Sequence, residues 1–137
     1  MKASMSKVNR ISLTTDLWWS NEQNIGYMTV TGHYINSKWQ LNRRVLSFIN
    51  VPPPHSGVVL AKELIKVMDD WAIKNRVVSI IVDNASTNDK CIRRLKEDFS
   101  GKQNLSLKDK LFHVCCAHIL NLLVKDGLSV IQDSIER

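Results

Sequence analysis

Asp16 in ISLTTDLW and Asp83 in VVSIIVDNASTND each follow a β-branched run, and polar residues follow Asp83 at once and Asp16 from Ser20. An apolar strand that gives way to a polar loop at a carboxylate is how α/β folds present acids at the carboxyl edge of a sheet, where ligands and metals collect. If the two strands are neighbours, the acids can share a divalent cation. Hard cations such as Mg²⁺ take carboxylate oxygens, and a pair of them can hold the attacking and leaving oxygens of an in-line phosphoryl displacement. These two residues therefore suggest phosphodiester chemistry on nucleic acid. The plain alternative for Asp16 is an acid bonded to a turn. For Asp83 it is a loop acid beside Asn84, Ser86 and Asn88, which can cap the next helix.

His113, Cys115, Cys116 and His118 also have ligand chemistry, since thiolate and imidazole suit zinc. Successive strand residues alternate faces, however, so His113 and Cys115 share one face and Cys116 takes the other, and no second cluster completes a structural site. Trp18 and Trp19 follow Asp16 closely enough for one to stack on an unpaired base, with packing as the role of at least one of them. Arg93, Arg94 and Lys96, then Lys102, Lys108 and Lys110, make a basic stretch able to track a phosphate backbone, and equally a solvated helix face and loop. Lys38, Arg43 and Arg44 form a smaller cluster that reads as a solvated strand face.

A sheet is needed to bring such residues together. Ile11 to Trp19 reads as a strand with Ile11 and Leu13 on one face and Ser12 and Thr14 on the other. Gly26 to Ile35 and Trp39 to Val51 read as two more, joined by the short link Asn36-Ser37-Lys38, so the first three strands form an antiparallel meander. Pro52-Pro53-Pro54 makes a rigid exit. Leu60, Leu64, Val67, Met68 and Trp71 recur at helical spacing in a helix expected from Ser56 or Gly57 to near Asn75. Val77 to Val82, almost without polar alternation, suits a central strand parallel to its partner. A second helix carries Cys91, Ile92, Leu95 and Phe99 on one face, and SGKQNLSLKDK follows as an exposed loop. Leu111 to Cys115 is a short fifth strand, and a third helix from His118 is interrupted or ended at Gly127. The order β-β-β-α-β-α-β-α predicts an α/β mixed sheet with the first and fourth strands side by side. That arrangement is consistent with a ribonuclease H-like fold, in which Asp16 and Asp83 meet.

The 137 residues fit one domain, a polar lead over residues 1–10 followed by the α/β unit. Nineteen Lys and Arg against 13 Asp and Glu leave a net charge of +6 and a pI near 9.4, which suits a polyanionic partner. Three cysteines, two of them adjacent, are no disulfide framework and point to a reducing compartment. No apolar run approaches the roughly 18 residues of a membrane span, and the start MKASMSKVNR lacks the apolar core of a secretory signal. Cytosol or nucleus is expected, and a membrane is not.

The segments TTDLWWS, NVPPPHSG, VDNASTND and CCAHILNLLVKDGL, in that order, resemble the transposases of the hAT superfamily, particularly the plant zinc-finger BED proteins of the sleeper type that were domesticated from them. The resemblance runs from about Ile11 to Ile131. It implies a ribonuclease H-like catalytic core with an Asp-Asp-Glu triad, in which Asp16 is the first acid, Asp83 is the second, and both bind Mg²⁺ or Mn²⁺. The family's Cys-x-x-His motif falls on Cys115 and His118, with an additional Cys116 between them. That implies a place for His118 near the active site, in contact with DNA or in support of the acids, and leaves Cys115 and Cys116 as small buried residues. A nuclear, DNA-associated protein is implied as well.

The departures matter as much. In this family a helical insertion interrupts the core after the fifth strand, and the third acid lies beyond it, near a C-terminal dimerisation segment. Residues 11–137 are therefore expected to be a C-terminally incomplete core that ends within the start of that insertion, and Glu136 is no substitute for the third acid by motif. The N-terminal BED zinc finger and the dimerisation region have no counterpart in the sequence, so a homodimer is expected only through regions outside it. The expected function is that of a fragment of a hAT-type DNA transposase or a domesticated derivative, binding DNA weakly and without sequence preference but not cutting it. The alternative is a non-enzymatic DNA-associated regulator or scaffold in which the acids record ancestry. A self-sufficient metal-dependent nuclease is disfavoured by the missing acid.

Overall fold

Buried and half-buried residues alternate without a break from Ile25 to Tyr34, the pattern of a strand with one face on a core and the other open. The computed structural model describes residues 5, 8–20, 25–51, 53–54, 56–82, 87–100, 112–114, 120 and 123–128. Its elements run β1 (Ile11–Ser20), β2 (Ile25–Ile35), β3 (Leu41–Val51), α1 (Gly57–Asp70), a 3₁₀ turn (Lys74–Arg76), β4 (Val77–Val82), α2 (Thr87–Ser100) and β5 (Phe112–Val114). The expected order of strands and helices is observed through β5. Residues 123–128 are helical as well, so the helix is not ended at Gly127.

The five strands form one sheet in the order β3-β2-β1-β4-β5. β1 to β3 are the antiparallel meander, with Ser12 opposite His33, Ser20 opposite Ile25, and Tyr27 opposite Asn50. β4 lies parallel to β1, with Thr14 opposite Ile81, and β5 lies parallel to β4. Parallel neighbours need a crossover connection, which α1 supplies between the meander and β4. A mixed sheet with the first and fourth strands adjacent is the ribonuclease H-like arrangement.

Between Val30 and Thr31 the β2–β3 register shifts, because β3 carries one residue more, Leu46. Leu46 is buried, and a Cβ on Gly32 would stand 3.2 Å from its Cδ1. Glycine at this position lets the bulged leucine in.

The core lies on one face of the sheet. β1 contributes Ile11 and Leu13, β2 Met28, Val30 and Tyr34, and β4 Val77, Ile80 and Val82. Leu60, Leu64, Val67 and Met68 of α1 and Cys91 and Leu95 of α2 complete the same cluster, so the helical spacing read in the sequence is the buried stripe. Met5 and Val8 of the polar lead join it, and Arg76 Nη1 donates to both of their carbonyls. Among the described residues no helix is long and apolar enough to cross a membrane.

Two boundaries differ from expectation by more than one residue, each through a residue in the left-handed region. α1 starts after Ser56, whose Oγ accepts from Val59 N at 3.4 Å, and stops at Asp70, short of Asn75. Ile73 N–H bonds Met68 O and Ala72 N–H bonds Asp69 O, both at 2.9 Å, a Schellman termination with Ala72 at φ 51°. Glycine usually marks such a stop, and the sequence has none there. Similarly, β3 begins at Leu41 and not at Trp39, because Trp39 closes a turn. Its N–H bonds Asn36 O at 3.0 Å and its φ is 59°.

Candidate functional site

Even-numbered residues of β1 point away from the helices, because Ile11 and Leu13 occupy the core face. Asp16 therefore stands on the open face of the sheet, between Thr14 and Trp18, with Thr29 opposite it on β2. Its carboxylate is exposed, and among the described residues it makes no hydrogen bond or ion pair. No turn within those residues satisfies it. A lone exposed oxygen donor of this kind suits a hard divalent ion and not a thiophilic one.

β1 runs on to Ser20, so Asp16 is not at the end of its own strand as expected. The edge it occupies belongs to the neighbouring pair. Thr14 opposite Ile81 is the last pairing of the parallel β1–β4 ladder, and Thr15 Oγ1 donates to Ile81 O at a long 3.5 Å. Past that point the β1 ladder with β2 continues to Ser20. Asp16 thus stands at the carboxyl end of a parallel ladder while an antiparallel one holds its backbone in place.

Asp83 and His118 lie outside the described residues, as do Cys115 and Cys116, so the expected meeting of Asp16 with Asp83 is not part of the observed geometry. Among the described residues no three His, Cys, Asp or Glu side chains gather as a metal site. Cys91 is buried in the core, where burial pushes its thiol up to about 12 and keeps it a neutral, unreactive packing residue.

Around Asp16 the sheet brings together Trp18, already a candidate from the sequence, and Tyr27, Phe48 and His33, which sequence reasoning passed over. Trp18 stacks on Tyr27 directly opposite, with ring centroids 5.6 Å apart and planes at 26°. Tyr27 stacks in turn on Phe48 of β3, at 5.2 Å and 16°. Further along the same face Thr14 Oγ1 and His33 Nε2 are hydrogen-bonded at 2.9 Å. Strand parity is the signal that could have found Tyr27, since it alternates with Met28 and Val30 out of the core. The register that sets it against Trp18 is a tertiary fact.

The basic candidates fall in two places. On α2, Arg93, Arg94 and Lys96 are exposed, and Arg94 Nη1 pairs with Glu97 Oε2 at 3.0 Å, a solvated pair of small energetic weight. Lys102, Lys108 and Lys110 lie outside the described residues. On the sheet, Arg43 stands opposite His33 and Arg44 opposite Gly32, both exposed and without an ion pair among the described residues.

Comparison with known proteins agrees with this architecture. Residues 14–111 match the family described as ZBED1 RNase-like domain. The chain is 38% identical over 137 residues to the zinc finger BED domain-containing protein RICESLEEPER 2 of Oryza sativa subsp. japonica, a match to 98% of this chain and 19% of that protein. It is 40% identical over 131 residues to the putative AC transposase of Zea mays, covering 94% of this chain and 16% of the relative. A more distant similarity, 27% over 127 residues, covers 90% of the chain and 14% of the putative transcriptional regulator tpeD of Talaromyces stipitatus. The chain spans less than a fifth of the length of these curated relatives.

Proposed function

This chain belongs to the ZBED1 RNase-like domain family, and from that premise we propose that it is the strand-bearing first part of a hAT-type DNA transposase core or of its domesticated derivative, with Asp16 and Asp83 as ligands for Mg²⁺ or Mn²⁺. The observation that supports this reading is the Asp16 carboxylate. It is exposed, unbonded among the described residues, and placed on the open face just past the end of the β1–β4 ladder. In the sequence Asp83 directly follows Val82, the last residue of β4. A second carboxylate from there would make the oxygen-rich pair that hard divalent ions prefer. When bound, such ions stabilise charge on the attacking and leaving oxygens of a phosphodiester.

In this proposal the β1–β2 ladder holds the Asp16 backbone so that its side chain meets substrate without rearrangement, and His118 stands near the acids, contacting DNA or supporting them. The third acid, a BED zinc finger and a dimerisation segment belong to further polypeptide, and the whole protein acts in the nucleus as a homodimer that cleaves DNA and transfers strands. The chain alone binds DNA weakly through phosphate contacts from its net charge of +6, without sequence preference, and does not cut it. A non-enzymatic DNA-associated regulator is the second reading, favoured by the similarity to a putative transcriptional regulator.

Supercoiled plasmid and labelled oligonucleotides incubated with the chain and Mg²⁺ or Mn²⁺, beside Asp16→Ala and Asp83→Ala, test the reading. The expected result is salt-sensitive binding without nicking. Nicking by the parent that both substitutions abolish would show a self-sufficient nuclease and overturn the incomplete-core reading.

A further inference from the structure

The open face of the meander is apolar in a way that a solvated strand face is not. Trp18 is 60% exposed and Phe48 is 64% exposed, yet the two bracket Tyr27 in a continuous column of three rings that crosses β1, β2 and β3. Such a column ends in free ring faces. Any nucleic-acid base can extend it by stacking, because every base has a π-face.

Apart from Asp16, which stands beside the column, the charge on this part of the sheet is positive. Among the described residues of β1 to β3 and their flanks the cations are Arg10, Lys38, Arg43 and Arg44, and the sole carboxylate is Asp16. Arg43 shares the open face, since it stands opposite His33, whose ring bonds Thr14. At the far end of that face a hollow of about 900 Å³ is lined by Arg10, His33, Ile35, Trp39 and Leu41. From Phe48 to Leu41 along β3 is roughly 20 Å, enough for several nucleotides. Rings for bases at one end and guanidinium groups for phosphates along the way are the two components of a single-strand site.

We propose that the Trp18–Tyr27–Phe48 column and the Arg43 side of the sheet form a site for an unpaired DNA strand, whose bases extend the column while its phosphates pass Arg43. The proposal rests on the reading of the chain as DNA-associated. It adds which form of DNA is bound and where. A duplex, with its bases stacked inside, cannot use the column. Asp16 lies on the same face, two residues before Trp18, so a strand held here passes the acid.

Fluorescence anisotropy with a labelled oligothymidylate and a duplex of equal length, at low salt, tests it. The parent is expected to bind the single strand at least about tenfold more tightly than the duplex. Trp18→Ala and Phe48→Ala should each weaken single-strand binding by about tenfold and leave duplex binding unchanged. Phe48→Leu should behave like Phe48→Ala, because it keeps apolar area but loses the ring. Arg43→Ala should lower the slope of log K against log salt by about 0.7. Equal binding of the two DNAs, with the ring variants silent, would overturn this site and leave DNA association standing. No binding of either DNA would overturn both. Unchanged DNA binding by Phe48→Ala together with loss of self-association on gel filtration would identify the face as a protein interface and also overturn the proposal.

Discussion

Asp16 lies directly opposite Thr29 in the β1–β2 ladder and two residues past Thr14, the last residue of β1 paired with β4. The relationship separates two roles that a strand-end acid would combine. Main-chain bonds to β2 hold the residue in register, while the ladder with β4 ends two residues before it. An exposed carboxylate with no partner among the described residues contributes little to folding, and its removal reports on ligand binding alone.

Manganese added to the isotopically labelled chain is expected to broaden the amide signals of Thr14 through Trp18 and of Thr29, and to leave those of Arg93 and Arg94 sharp. Asp16→Ala should abolish the broadening while changing stability by no more than about 0.5 kcal/mol, the usual range for an exposed residue without a structural bond. Broadening that survives the substitution would place the ion elsewhere.

Ala72 offers a test of the fold of opposite character. Its φ of 51° at the end of α1 sets Cβ against the following carbonyl, a strain glycine does not carry. Ala72→Gly should therefore raise stability by about 0.5–1 kcal/mol in urea unfolding, although glycine is ordinarily unfavourable. Ala61→Gly, within α1 and fully buried, should lower it by about 1 kcal/mol or more. Opposite signs for the same substitution at two positions, one inside α1 and one at its end, would confirm the Schellman stop.

Burial raises the Cys91 thiol from 9.0 to about 12. The folded state therefore keeps its proton where the unfolded chain releases it, and the stability tied to this group is complete below pH 9.0 and declines as pH rises toward about 12. Alkylation at pH 8 followed by peptide mass mapping should find Cys91 unmodified in the folded chain and modified in urea. Rapid modification without denaturant would contradict its place in the core.

Much of this architecture was legible from periodicity. The apolar run of β4 and the spacing of Leu60, Leu64, Val67 and Met68 are local patterns that burial imposes directly, and the strand–helix order they define puts β1 beside β4. The parity of Ile11 and Leu13 likewise assigns Asp16 to the open face. What could not be read depends on backbone states or on register. Ala72 and Trp39 adopt left-handed conformations that composition assigns to glycine, so the end of α1 and the start of β3 were misplaced. The stack of Trp18 on Tyr27 and Phe48 needs two strand registers and one bulge, none of which has a local signature. Met5 and Val8 are two apolar residues in a polar lead, and their carbonyls are bonded by a side chain some seventy positions away.

That side chain is Arg76, and it carries the last prediction. Its Nη1 donates to the carbonyls of Met5 and Val8, the latter at 3.0 Å, and its Nη2 donates to Ala72 O at 2.9 Å. One guanidinium thus joins the lead, the end of α1 and the start of β4. Charged hydrogen bonds of this kind contribute about 1.5–3 kcal/mol each, less where water competes, and the Ala72 bond is exposed. Arg76→Met keeps the apolar stem and deletes the donors, so it should cost about 2 kcal/mol in urea unfolding. Arg76→Lys should recover only part of the loss, because a single ammonium cannot reach three carbonyls in the geometry of a planar fork. Since β1 begins three residues after Val8, the lead should loosen before the sheet does. Limited trypsinolysis of Arg76→Met is expected to accelerate cleavage at Lys7 and Arg10 under conditions where cleavage at Arg93 and Arg94 is unchanged. Equal acceleration at both places would mean that the whole domain had been destabilised and that Arg76 is no local tether.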